Sequence, residues 1–146
     1  MTVLRLSDAQ TLINTALTTA KRLRSRPMAV VVVDASAQVV ASARDDGASA
    51  LRLDIALGKA AATVGMGVNS RELAQRAKEM PAFFHAIASS SSQKFVPQTG
   101  AILLLDSGGS VLGAAGASGG TGDEDEQCVI AGALEAGLSL FERPQP

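Results

Sequence analysis

The run "MAVVVVDA", Met28 to Ala35, decides how this chain is read. Four consecutive valines leave no alternation of apolar and polar residues, so the segment is expected to be a strand buried on both faces. "SAQ" follows as a short turn, and "VVASAR", Val39 to Arg44, completes an antiparallel hairpin. The pattern returns downstream: "AILLLD", Ala101 to Asp106, is a second buried strand, and "SGG" turns it into "SVLGAAGAS". Two hairpins separated by helical segments predict an α+β domain, an antiparallel sheet covered by helices, and not a parallel crossover fold.

The flanking segments are helical. Ser7 and Gln10 spell a capping box, after which Leu12, Ile13, Ala16, Leu17, Ala20 and Leu23 recur at helical spacing until Pro27. An Ala-rich helix is expected from Ala50 to about Val64, ended by "GMG". Ser70 caps a polar helix, "RELAQRAKE", and Pro81 opens another, "AFFHAIA", since proline fits the first helical turn. "SSSSQKFVPQTG" reads as a flexible loop. A last helix is expected from about Asp125 to Phe141, with Val129, Ile130, Ala133, Leu134 and Leu138 on its apolar stripe and "RPQP" as a frayed tail. With no repeat and no internal linker, residues 1–146 are expected to form a single domain.

Composition removes several classes of function. Hydrophobic residues make up 47% and charged residues 18%, the balance of a packed globular chain. A net charge of −1 gives no attraction to nucleic acid or an anionic membrane, and with phenylalanine the only aromatic there are no Trp or Tyr stacking platforms. One cysteine, Cys128, makes neither an internal disulfide nor a thiolate zinc cluster. The first residues lack a signal peptide's pattern, and no segment has the ~20 apolar residues of a membrane span, so a cytoplasmic protein is expected.

Chemistry is sought first in "GASGGTGDEDEQC", Gly116 to Cys128, where glycines run into four consecutive acids. The glycines match neither the phosphate loop nor the dinucleotide fingerprint. Carboxylates at a helix start already complement its dipole, which favours capping and tight turns. The alternative is a small pocket lined by Ser118, Gly119 and backbone N–H groups, with Asp123, Asp125 or Glu126 pairing with a cation. The acids lack the spacing of a calcium loop, and no metal is expected. Lys59 has Ile55 and Thr63 four residues away on its helix, so no carboxylate pairs with it there; it is either a solvated lysine or part of a site. Arg44 is either an edge-strand charge or an anion-binding guanidinium.

"VVVVDASAQVVASARDDGAS", "ALGKAAAT" and "GSVLGAAGASGGTGDEDEQCVIAG" stand in an order and spacing that resembles the GlcG/HbpS domain, a haem-binding-like family also fused to PduO-type cobalamin adenosyltransferases. The resemblance runs from about Ser7 to Leu140. It implies a profilin-like sandwich with a central antiparallel sheet, a homo-oligomer, and haem, a corrinoid or another small ligand. It also tips Lys59 toward a site. One departure stands out: the family often carries a Gly-Gly-x-Pro turn where this chain has "QTGAILLLD", Gln98 to Asp106, so a site built on that turn is not carried over.

Haem iron takes His, Cys, Met or Tyr as axial ligand, and here tyrosine is absent and no Cys-x-x-Cys-His exists. His85, the sole histidine, remains with Met66, Met80 and Cys128, though beside Phe83 and Phe84 a lone histidine is more often a core-edge residue than a ligand. The acids around Cys128 should raise its pKa and make it a structural thiol. Ser118 lacks a nucleophile elbow. The leading expectation is therefore a small-molecule-binding protein with haem or a related tetrapyrrole as ligand. Its rivals are an enzyme for a small anionic metabolite, with Arg44 and Lys59 binding and Asp125 or Glu126 as acid–base groups, and a structural accessory subunit. The Ala/Gly-rich helices suggest a homo-oligomer with the site near its interface.

Overall fold

The fold is described here from a computed structural model, for residues 3–91 and 94–141. The order is α1 (Leu6–Arg22), β1 (Ala29–Asp34), β2 (Val39–Arg44), α2 (Leu51–Met66), α3 (Ser70–Glu79), α4 (Pro81–Ser90), β3 (Ala101–Leu105), β4 (Val111–Ser118), α5 (Gly122–Glu135) and β5 (Ser139–Leu140). The strands form one antiparallel sheet in the order β2-β1-β4-β3-β5, which makes the fold α+β as the two hairpins predict. Each hairpin turn is closed by its leading aspartate. Asp34 Oδ1 accepts the N–H groups of Ser36 and Gln38, and Asp106 Oδ1 accepts those of Gly108 and Ser110. Pairing of β1 with β4, from Ala29↔Ser118 to Asp34↔Gly113, joins the two hairpins.

The valine run is buried on both faces because each face has its own helical cover. Val30 and Val32 pack with Leu12, Ala16, Val129 and Ala133, under α1 and α5. Val31 and Val33 pack with Ala56 and Ala60 of α2. Helix α2 lies so close to β4 that a Cβ at Gly116 would stand 2.5 Å from the Ala56 carbonyl oxygen; only glycine permits this approach. The α3–α4 pair packs beside α2 around Ala62, Leu73 and Phe84. No helix among the described residues is long and apolar enough to cross a membrane.

Three local expectations need correction. The first helix is not capped by Ser7: Arg5 is its N-cap, without a side-chain cap, and its guanidinium bonds Asp8 instead. The last helix starts at Gly122 and stops at Glu135, short of Phe141. Its cap is a box of Thr121 and Glu124, and Gly137 turns the chain left-handed so that β5 can add to β3. Leu134, placed on the apolar stripe by sequence, is 61% exposed because α5 ends there. Ser70 is the first residue of α3 rather than its cap, and its hydroxyl serves β3. It accepts the N–H groups of Gly100 and Ala101 at 2.9 and 2.8 Å and donates to the Ala101 carbonyl. The "RPQP" tail and part of the Ser-rich loop lie outside the described residues.

Candidate functional site

Helix α2, the end of β4 and the start of α5 meet around Lys59. The lysine is 5% exposed although no carboxylate stands three or four residues from it on its own helix, because its partner comes from α5. Its Nζ lies 3.1 Å from Asp125 Oδ2 and donates to the Ala117 carbonyl at 3.0 Å. The amine passes Gly100, where a Cβ would stand 2.7 Å from Nζ and where φ is +136°, so this position must be glycine. Asp125, 1% exposed, has its other oxygen, Oδ1, bonded by the Gly120 N–H at 2.9 Å. Burial lifts its carboxyl above the usual range, while Lys59 and the N–H groups of Gly120 and Gly119 pull the other way.

These groups floor an open polar cradle of about 470 Å³, whose walls include Arg52, Ile55, Val96, Gln98, Thr99, Ser118, Thr121 and Asp123. Arg52 Nη1 donates to Ser118 Oγ at 3.2 Å. The two cations of α2 are thus anchored on consecutive residues of β4: Lys59 on the Ala117 carbonyl, Arg52 on the Ser118 hydroxyl.

The structure brings together Lys59, Ser118, Asp123 and Asp125 and leaves other candidates apart. Arg44 does not line the cradle; its guanidinium donates to the Ala48 carbonyl at 2.7 Å, closing the "DDGAS" loop. The cation found in its place, Arg52, was missed. It carries a readable signal, since it precedes Lys59 by seven residues, two turns along one helix face. Glu126 faces Arg71 of α3 at 3.0 Å, and Asp123 binds the same guanidinium from the cradle's rim. Gly119 is buried and is not a wall of the cradle. The acidic run therefore holds two of the protein's own cations, Lys59 and Arg71. Among the described residues no group of His, Cys, Asp or Glu is arranged to hold a metal. The departure at Gln98–Gly100 is not inert, since Gln98 and Thr99 form a cradle wall.

His85 stands elsewhere. It is exposed on α4 and lines a mostly apolar hollow of about 270 Å³ with Ala77, Pro81, Phe84, Ala88, Pro97 and Gln98. Cys128 is buried under α1, its thiol pushed up to about 11 by burial and by Asp125 and Glu124.

Comparison with known proteins accords with this architecture. The PduOC–haem complex superposes with a TM-score of 0.85 at 23% identity, over 97% of this chain and 100% of that one. A double mutant of HbpS from Streptomyces reticuli gives 0.79 at 28% identity, over 92% and 87% of the two chains. The ORFY protein of Klebsiella pneumoniae gives 0.83 at 20% identity, over 94% and 92%. No curated protein matches the sequence. The family model described as "Haem degrading protein HbpS-like" matches residues 4–134, nearly the whole chain, and the chain belongs to that family.

Proposed function

We propose that this chain is a small-molecule-binding protein and that haem, or a related tetrapyrrole, docks at the apolar hollow on α4 with His85 as axial donor. The observation that carries this reading is the setting of that side chain: the sole histidine is exposed beside Pro81, Phe84, Ala88 and Pro97. A neutral imidazole ligates haem iron, and apolar walls suit the faces of the macrocycle. The family's description and the haem in the PduOC complex support the same ligand class.

Of the sulfur donors, Cys128 is buried with a raised pKa, Met66 is half-buried at the end of α2, and Met80, though exposed before α4, is not a wall of the hollow. The walls of the polar cradle include no His, Cys, Met or Tyr. A hollow of about 270 Å³ is smaller than the ~300–1,000 Å³ usual for ligand pockets, so part of the macrocycle stays uncovered. A second copy of the chain would cover it, which ties the ligand to a homo-oligomer. When bound, haem supplies the redox and ligand-binding chemistry of its iron.

Titration of purified protein with haemin tests the reading. A saturable Soret change that weakens at least about tenfold in His85→Ala is expected, a difference of ~1.4 kcal/mol. The reading is wrong if the absorbance never saturates, or if His85→Ala titrates like the wild type.

A further inference from the structure

We propose that the polar cradle between α2, the Gln98–Gly100 turn and the start of α5 is a second ligand site, for a small monocarboxylate carrying additional hydrogen-bonding groups. It does not depend on haem, and of its walls only Gln98 is shared with the hollow that holds His85.

Charge is the first argument. Arg52 and Lys59 bring two cations to the cradle, and Asp125 is the one buried carboxylate facing them. Asp123 stands at the rim and is engaged by Arg71. Lys59 and Asp125 neutralise each other, which leaves one positive charge, that of Arg52. Among the described residues Arg52 makes no ion pair, and its bond to the neutral Ser118 hydroxyl uses one of its five N–H donors.

Donor geometry is the second. A lysine ammonium has three N–H groups, and two are taken by Ala117 O and Asp125. Nζ is therefore left with a donor while its side chain lines the cavity. Ser118 Oγ accepts from Arg52 and keeps its own proton to donate. One anion reached by a planar guanidinium fork, an ammonium and a hydroxyl would have its oxygens satisfied in a partly desolvated place.

The walls set the class. Gln98, Thr99 and Thr121 supply polar groups against Ile55 and Val96, and about 470 Å³ suits a small hydroxylated molecule rather than an apolar one. With Asp125 paired to Lys59 and Asp123 to Arg71, Arg52 is, among the described residues, the one unpaired cation at the cradle, which matches a monoanion and disfavours a phosphate dianion. The Lys59–Asp125 pair by itself would be explained as an internal tie. Arg52 would not, because that tie does not need it.

Calorimetry at pH 7 with lactate and gluconate as probes, against lactamide and inorganic phosphate, tests the proposal. At least one carboxylate is expected to bind saturably in the millimolar range or tighter, and Arg52→Gln to weaken it at least about tenfold. Ile55→Asp, which adds a negative charge to the wall, should abolish binding, and Lys21→Gln, which removes a cation outside the cradle, should leave it unchanged. The proposal is overturned if neither carboxylate binds, if lactamide or phosphate binds as tightly, or if either cradle variant that melts like the wild type keeps full affinity. Haemin titration of Arg52→Gln reads the other site, so failure of one reading shows without failure of the other.

Discussion

Lys59 carries a charge into the interior, and the cost of doing so depends on its partner. Removing one member of a buried ion pair strands the other, typically at ~3–5 kcal/mol, whereas replacing both with apolar groups is often near neutral. Lys59→Met and Asp125→Leu are each expected to lose about that much in urea unfolding, and the double variant to recover most of it. A double variant as unstable as the sum would show that the two groups act separately. Cys128 gives a residue-scale prediction with a definite sign. Its folded pKa of about 11 lies above the 9.0 of an unperturbed thiol, so the native state holds the proton longer. The resulting stability is complete below pH 9 and is lost as pH rises through about 11. Disulfide-exchange reagents should modify the thiol at pH 8 only as fast as the protein opens, and Cys128→Ser should flatten the alkaline loss. At this scale the sequence was half legible. The absence of a partner for Lys59 within its helix was visible, but Asp125 lies 66 residues away and no local rule connects them. Arg44 stands out as a strand-end charge, whereas the signal for Arg52 is subtler, its helical phase with Lys59 on α2.

Elements were legible where one force dominated. The apolar runs at Ala29–Asp34 and Ala101–Leu105 became central strands, and Pro81 opens α4 as expected. What failed were the ends, where short-range hydrogen bonds of similar strength compete. Ser7 and Gln10 match a capping box that the chain does not use, while Thr121 and Glu124, at the same spacing, form one. The two-residue β5 has too little sequence to announce itself; it exists because Gly137 redirects the chain beside Leu104 and Leu105. Two variants probe the joints between elements. Gly116→Val should push α2 off β4, since its first added atom already meets the Ala56 carbonyl; a loss of at least ~1–3 kcal/mol is expected from overpacking. Ser70→Ala should leave the N–H groups of Gly100 and Ala101 without their acceptor, at ~1–3 kcal/mol each. Hydrogen exchange should then accelerate at those two amides before it does in β1. Unchanged protection there would mean that water replaces the hydroxyl without loss.

At the scale of the whole molecule, the sheet with helices on both faces follows from the two hairpins, yet their mutual order did not. The sequence shows β1 with β2 and β3 with β4; only the structure shows β1 against β4. Self-association belongs to this scale too. If a second copy covers the haem hollow, light scattering across a dilution series should give a multiple of the 14.8 kDa chain mass, stabilised by haemin. A monomer mass throughout, with haemin bound, would remove the oligomer from the proposal. The β1–β4 junction also has a consequence for synthesis. On the ribosome β2 emerges directly after β1, but β4 begins only at Val111. At ~5–20 residues per second, the intervening stretch of about 75 residues takes roughly 4–15 s. Through that interval the valine strand has one bare edge and no finished partner to close it. Nascent chains stopped before Val111 should therefore sediment with aggregates or ride on a holdase chaperone, and chains released past Ser118 should not.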